Sequence, residues 1–380
     1  MKLFRLTVIL VFLFPIAHFC FAETGVFPKH IVFVTHQPLS GPAKEYSDIG
    51  KSAQAYFKYV NDQGGVHGRS IELKIIDDQL KPYKAKEELE ELTLKNDIFA
   101  VFSGIGSKTH QAVYPLLKQQ RLPSFFVGSD LPEWTQPIRA NVFGFMPTAE
   151  TEARVIGKYI TEKHTGKEFI IWYPEKPVYQ RAVKALTKEL YSVSAKLLPG
   201  KAGRLSAEWQ LIRKNNPDFL VVLGNYTDVM NFLKFSPQIN IPMLTGHALA
   251  DSRLPEWLGQ KVSERVRVLT AYPLKIETEH PGQILHKLIL SEYAPNLALN
   301  RWTLYGHAVA ELMVEVLNRT GRSLSRQKAV SAAESITKWQ GKLLPPVYLD
   351  SRNHLALTTF RVSRITYGRV SHLSGWIDGK

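Results

Sequence analysis

Ile31-Val32-Phe33-Val34-Thr35 has the length and the apolar composition of a buried β-strand. The chain that follows has a helical period, with four apolar side chains on one face of a segment that ends at Asn61: Ile49, Ala53, Tyr56 and Val60. Gly64-Gly65 comes next, and glycine commonly marks the end of a helix. This stretch therefore predicts a strand followed by an amphipathic helix, the repeating unit of an α/β fold.

The same unit recurs through the N-terminal part of the chain. Strands are predicted at residues 71–76, 98–102 and 123–127, with helices at 84–95 and 110–119. Parallel strands need a crossover connection, and these helices supply it. The pattern predicts a parallel sheet with helices on both faces.

A second α/β set begins after Pro147. Its predicted helices are 149–163, 180–191 and 228–235, and its predicted strands are 169–172, 219–223, 242–245 and 266–271. Residues 280–338 have a mainly helical pattern, and 355–362 have the pattern of a late strand. We expect two α/β lobes of similar size. The pattern alone does not assign the late elements to either lobe.

The N-terminus has the features of an export signal. Lys2 and Arg5 precede an apolar stretch, and Cys20-Phe21-Ala22 ends in a small residue suited to cleavage. We expect residues 1–22 to be a signal peptide cleaved near Ala22, and the mature protein to be periplasmic. An uncleaved anchor is the alternative, whereas lipidation of Cys20 is disfavoured because small residues do not precede it.

Composition excludes several function classes. The 380 residues carry a formal charge of +14, but the basic residues are scattered among acids, which favours a solvated basic surface over a nucleic-acid site. The single cysteine excludes a thiolate zinc site. There is no G-x-S-x-G or H-E-x-x-H motif. We therefore expect no catalytic activity, no cofactor and no metal.

Ligands of parallel α/β sheets bind beyond the carboxyl ends of the strands, so the loops after predicted strands are the candidates. One of them, residues 103–109, is rich in glycine and includes Ile105-Gly106-Ser107. Its spacing is not that of a Walker loop, and an ordinary turn with Ser107 as the helix cap would explain it equally well. Tyr46, Tyr179 and Tyr226 also follow predicted strands, where rigid aromatic side chains would form the walls of a cleft.

Several segments together resemble the leucine-binding branch of the type I periplasmic binding proteins. They are Leu39-Ser40-Gly41-Pro42, the helix end and turn at residues 60–69, and Ile71-Glu72-Leu73 running into Asp77-Asp78, with further similarity as far as residues 347–354. The resemblance implies two Rossmann-like lobes with parallel sheets joined by a three-strand hinge. We expect an N-terminal lobe of residues 29–146 with 276–345, and a C-terminal lobe of 147–275 with 346–380.

The resemblance also implies which residues contact a ligand. Ser107, with Ile105 and Gly106, stands where the family offers a hydroxyl to a ligand carboxylate, and Ser129 and Asp130 form the next loop. Tyr179 and Tyr226 match pocket aromatic residues of the second lobe. His247 stands where amino-acid binders place an acid for the ammonium group.

Asp130 and His247 depart from the pattern of the amino-acid binders, and both argue against an α-amino acid bound in the usual pose. A buried ammonium needs a carboxylate, and Asp130 would repel a ligand carboxylate. We expect an atypical amino-acid-like or amide-like organic solute with a hydrogen-bond donor for Asp130. The predicted function is solute capture by a monomer for the permease of an ABC importer. The alternative is a ligand-sensing partner of a membrane receptor or of an exported oxidoreductase system.

Overall fold

A computed structural model describes residues 23–95, 98–191, 193–235 and 240–380. The expected signal peptide, residues 1–22 with Cys20, lies outside the described residues. Among the helices within those ranges, none is both long enough and apolar enough to cross a membrane.

The first lobe is built on a five-stranded parallel sheet with the strand order β2-β1-β3-β4-β5. In chain order its elements are β1 (His30–Gln37), α1 (Ser47–Asp62), β2 (Ser70–Asp77), α2 (Pro82–Leu94), β3 (Ala100–Phe102), α3 (Ser107–Gln119), β4 (Ser124–Val127) and β5 (Val142–Gly144). Strand β1 is an interior strand between β2 and β3, with Phe33 opposite both Leu73 and Ala100. The apolar run at residues 31–35 therefore forms a strand with neighbours on both sides, which is buried on both faces.

The second lobe is built on a mixed sheet. Its first elements are α4 (Ala149–Lys163), β6 (Glu168–Pro174), α5 (Pro177–Lys188), β7 (Ser194–Gly200), α6 (Leu205–Asn215), β8 (Phe219–Val222), α7 (Tyr226–Lys234), β9 (Met243–Thr245), α8 (Leu254–Leu258), α9 (Gln260–Ser263) and β10 (Val266–Thr270). Strands β6 to β10 run parallel to their neighbours.

The remaining elements are α10 (Pro281–Tyr293), α11 (Arg301–Thr320), α12 (Arg326–Glu334), β11 (Thr359–Thr366), β12 (Arg369–His372) and β13 (Ile377–Asp378). Strand β11 pairs antiparallel with β10 and extends the second sheet, and β12 and β13 pair with β11. The parallel alternation thus describes the second sheet only as far as β10. The late strand begins four residues after its predicted start at 355 and reverses direction.

Helix α11 packs against α1 of the first lobe. Gly306 makes the close approach possible, since a Cβ there would lie 2.1 Å from the Ile49 carbonyl oxygen. The Ser52 hydroxyl donates to the Thr303 carbonyl at 2.7 Å across the same contact. These contacts support grouping the late helices with the N-terminal lobe. The residue limits of that division stay a prediction.

The chain passes between the lobes three times, between β5 and α4, between β10 and α10, and between α12 and β11. The first and third of these segments are hydrogen bonded to each other. The Gly144 amide donates to the His354 carbonyl, and the Gly144 carbonyl accepts from the Ala356 amide. The α/β class with two Rossmann-like lobes and three connecting segments is confirmed. The second sheet departs from the expected purely parallel arrangement, because β10 pairs antiparallel with β11, and β12 and β13 pair antiparallel with β11.

Candidate ligand-binding cleft

A cavity of about 700 Å³ opens between the two lobes at the carboxyl ends of their parallel strands. All nine predicted site residues line it: Tyr46, Ile105, Gly106, Ser107, Ser129, Asp130, Tyr179, Tyr226 and His247. They lie in the loops, or in the first turns of the helices, that follow six different strands. The structure therefore brings the predicted residues together, while ligand contact by each of them stays a prediction.

Two serine hydroxyls of the first lobe have a defined direction of hydrogen bonding. Ser129 Oγ accepts from the Trp134 indole at 3.1 Å and from the Leu131 amide at 3.2 Å. Its own hydrogen must then go to Ser107 Oγ, which lies 2.7 Å away. The Ser107 hydroxyl consequently keeps its hydrogen for an acceptor in the cleft.

Ser107 does not cap the following helix, in contrast to the simpler interpretation of its loop. Helix α3 begins at Ser107 itself, and its N-cap is Gly106, which has a φ of 101°. Only glycine adopts this backbone conformation readily, and the first amides of α3 are free of side-chain caps. The loop thus places a hydroxyl and a helix N-terminus at the same wall of the cleft.

A buried polar chain lies beneath this loop. His36 bonds to Asp78 at 3.0 Å and to His110 at 3.3 Å, and His110 bonds to Ser124 at 3.3 Å. A Cβ at Gly104 would lie 2.2 Å from His36 Nε2, so the loop rests directly on the imidazole. Burial holds the pKa of His110 well below its usual value, and the charge of His36 adds to this effect. We interpret the network as the support of the ligand-facing loop.

His247 is a neutral and fully engaged residue. Its Nδ1–H donates to the Leu269 carbonyl at 3.3 Å, which leaves Nε2 to accept from the Tyr272 hydroxyl at 3.1 Å. Burial, with a smaller contribution from the charge of Arg301, lowers the pKa of His247 to about 3. Neither ring nitrogen is left for a solute, so only the edge and face of the ring contact the cavity.

An acid reaches the same place from another element. Glu152 lies in the first turn of α4, and its Oε1 accepts the His247 backbone amide at 3.0 Å. Its Oε2 packs on Gly246, where a Cβ would lie 2.2 Å away. Burial raises the pKa of Glu152 to about 7. The amide of His247 opposes the rise, the charge of Asp130 adds to it, and Arg301 weakly opposes it.

Aromatic and arginine side chains form matching groups on the two sides of the cleft. Tyr46 contacts Trp302 with ring centroids 4.4 Å apart, and Tyr226 contacts Trp257 at 5.4 Å. A guanidinium lies over each tryptophan, that of Arg301 over Trp302 at 4.7 Å and that of Arg253 over Trp257 at 4.9 Å. Both groups line the cavity. They offer a flat apolar surface to a solute on either side.

Residues 34–369 match the family model named "Periplasmic binding protein". The chain belongs to this family. The match covers most of the chain and both lobes, so the predicted resemblance is confirmed. No curated protein sequence matches this periplasmic binding protein.

Solved structures of similar fold cover nearly the whole chain. A branched-chain amino acid ABC transporter protein from Thermus thermophilus with bound valine has a TM-score of 0.72 at 16% identity, over 92% of this chain and 97% of that one. A fatty acid ABC transporter substrate-binding protein from Thermomonospora curvata has a TM-score of 0.70 at 18% identity, over 94% of each chain. An extracellular ligand-binding receptor from Verminephrobacter eiseniae has a TM-score of 0.72 at 14% identity, over 90% and 99%. At these identities the similarity shows that this periplasmic binding protein shares its fold with those structures.

The sequence patterns missed several residues that line the cleft of this periplasmic binding protein. They are Glu45, Glu152, Arg253, Trp257, Arg301 and Trp302. Most lie on helices or short turns, whose cleft-facing side depends on how the lobes are joined. One usable signal was the position of Glu152, four residues after the N-cap Thr148 at the start of the helix that follows the first crossing. In the ranges that the structure covers, no three His, Cys, Asp or Glu side chains are grouped to hold a metal ion.

Proposed function

We propose that this periplasmic binding protein captures a small organic solute between its lobes and delivers it to the membrane subunits of an ABC importer. The observation that carries the proposal is the shared cavity, because loops from both lobes converge on it from the carboxyl ends of their strands. Solved proteins of the same fold are described as ABC transporter proteins, one with bound valine and one for fatty acids.

Hinge closure is the proposed mechanism. Each lobe supplies half of the contacts, with Ser107 and Asp130 on one side and Glu152 and Tyr226 on the other. A solute that touches both sides binds the closed form more tightly than the open form, and this difference in affinity shifts the population towards closure. The importer would then distinguish the closed protein from the open one. We also propose that residues 1–22 direct export to the periplasm.

The proposed solute is amino-acid-like or amide-like but not an α-amino acid held in the usual pose. The Ser107 hydroxyl and the N-terminus of α3 offer donors to a carbonyl or other acceptor group. His247 has no acceptor to offer an ammonium group, because Tyr272 already donates to it. Other residues of the cleft must therefore accept hydrogen bonds from the donor group of the solute.

Native mass spectrometry of protein purified without denaturation tests solute capture, because a retained solute adds its mass to the chain. Thermal unfolding and X-ray scattering with candidate solutes complete the test. A true solute at about 100 times its dissociation constant adds about 2.7 kcal/mol to the free energy of unfolding, and it should reduce the radius of gyration. Unchanged melting and scattering for every solute, together with no retained mass, would refute the proposed function.

A further inference from the structure

Three carboxylates line the cleft: Glu45 and Asp130 belong to the first lobe, and Glu152 belongs to the second. Asp130 is exposed in the loop after β4 of the first lobe, and Glu152 is partly buried at the start of α4 of the second. Both line the same cavity. Glu152 accepts one hydrogen bond, from the His247 amide, and within the described ranges neither carboxylate forms an ion pair with a protein cation. Each therefore retains acceptor capacity for a ligand.

The two acids act on each other across the cleft. The negative charge of Asp130 adds to burial in raising the pKa of Glu152. Like charges repel, and the cost grows as their separation falls. Because the acids belong to different lobes, hinge closure would bring them together. An empty closed cleft is therefore penalised, unless a positive charge lies between the carboxylates.

The two arginines of the cleft differ in how far they are engaged. Arg301 Nη1 donates to the Ala248 carbonyl at 2.9 Å and its guanidinium stacks on Trp302, while its buried Nε has no hydrogen-bond partner among the described residues. Arg253 forms a two-bond pair with Asp251, at 3.0 and 2.9 Å. His247 is neutral because burial lowers its pKa to about 3. Of these three side chains only that of Arg301 influences the pKa of Glu152, and its influence is the weakest on that residue.

We propose that the solute carries a cationic nitrogen group, such as an ammonium, amidinium or guanidinium, which binds between Asp130 and Glu152. This inference rests on the proposed function and specifies the chemistry of its solute. Glu152 takes the place of the acid missing at position 247, and it does so from a different element of the fold. The cation removes the repulsion between the lobes, so its binding and closure of the cleft are the same event.

Gly246 is a necessary part of this site. Its backbone leaves room for Glu152 Oε2, and the next amide along the chain, that of His247, fixes Oε1. The carboxylate is thus held by main-chain groups at the end of β9, and its position does not depend on a flexible partner side chain. A cation would meet a preorganised acceptor, which lowers the entropic cost of binding.

The experiment is calorimetric titration with four kinds of probe. They are amines without a carboxylate (putrescine and agmatine), zwitterions (γ-aminobutyrate and L-leucine), neutral amides (acetamide and urea) and anions (isovalerate and octanoate). A solute released from native protein joins the panel once its mass and fragmentation identify it. We expect the tightest binding from a probe with a cationic nitrogen, and none from the anions.

Charge-removing variants locate the site. Glu152→Gln and Asp130→Asn should each weaken binding of the cationic probe at least about tenfold, because hydrogen bonds to charged groups are among the strong ones. The matched control is Glu162→Gln, which removes an exposed acid of the same helix that pairs only with neighbouring Lys163 at 2.7 Å. The control should bind as tightly as the wild-type protein. Asp130 is exposed, so its variant also reports on the site if the Glu152 variant folds poorly.

Different results would refute the inference and the proposed function. Tightest binding of a neutral or anionic solute, with compaction, would leave solute capture intact and overturn the cationic site. Equal affinity of the wild-type protein and both cleft variants for a cationic solute would also overturn it. If no probe binds and native protein retains no solute, solute capture itself is refuted.

Discussion

Tyr179 belongs both to the cleft wall and to the core of the second lobe. Its side chain lines the cavity but is only 8% exposed, and it packs among the apolar residues of the main core. Burial raises the pKa of its hydroxyl, and the charge of Asp228 adds to the rise. A substitution at this position therefore affects stability as well as binding.

Two variants separate these roles. We expect Tyr179→Ala to lower the free energy of unfolding by about 3–5 kcal/mol, since a buried aromatic ring is lost, and to weaken solute binding. Tyr179→Phe keeps the ring and should lower stability by no more than about 1.5 kcal/mol, as removal of one hydrogen bond does. Denaturant unfolding without solute measures both effects. A Tyr179→Ala protein as stable as wild type would show that the ring contributes nothing to the core.

Helix α11 connects the core of the first lobe to the cleft. Its middle packs on α1 through Gly306, and its first residues, Arg301 and Trp302, line the cavity. Asn300 caps it, with its side chain accepting from the Trp302 and Thr303 amides. The cap and the close helix contact together set the position of the cleft residues.

Gly306→Ala tests this connection. The added methyl would lie 2.1 Å from the Ile49 carbonyl oxygen, a backbone atom that cannot move aside without shifting α1. We expect a loss of about 1–3 kcal/mol in the free energy of unfolding, as overpacked sites show, and weaker solute binding in the same variant. Gly375→Ala is the control, since no atom lies within 4 Å of its added Cβ. Equal melting temperatures of the Gly306 variant and the control would contradict the packing account.

At the level of elements, apolar periodicity predicted most of the helices and the buried strands. Helix α4 has its predicted limits, and β1, β2 and β4 agree within two residues. Strand β7 and helix α6 were not predicted. Strand β7 is an edge strand with partly or fully exposed residues, and it therefore lacks the apolar alternation of a half-buried strand. Strand β5 has only three residues, too few for a period.

The same reasoning explains what could be predicted of the cleft. Residues directly after strands were accessible to prediction, because the carboxyl ends of parallel strands meet at one edge of a sheet. Glu152 and Arg301 lie in the first turns of helices and line the cavity. Glu152 comes directly after the first crossing between the lobes, whereas Arg301 begins the second helix after the next crossing. The position of these two side chains at the cleft depends on how the two lobes are placed relative to each other, and local periodicity carries no information about that placement.

For the whole molecule, the buried histidines predict loss of stability in acid. Burial lowers the pKa of His286 from its usual 6.5 to about 4 and that of His247 to about 3, and it holds the pKa values of His110 and His307 well below 6.5. Below pH 6.5 the unfolded chain binds protons that these four folded-state imidazoles do not, so stability falls as the pH falls towards 4.

Glu152 contributes with the opposite sign, because the folded protein binds its proton more readily between pH 4.5 and about 7. Four histidines outweigh one carboxyl group, so we expect the free energy of unfolding to decrease between pH 7.5 and pH 5. Denaturant unfolding across this range is the measurement. His286→Gln should reduce the slope, and His67→Gln, which changes an exposed histidine, should not. A free energy of unfolding that is constant between these pH values would contradict the assignment of neutral buried imidazoles.

The hydrogen bond from Arg301 to the Ala248 carbonyl bears on hinge opening. It joins α11, which packs on the first lobe, to the second lobe. A hinge motion that separates Arg301 from Ala248 must therefore break this hydrogen bond before the lobes can move further apart.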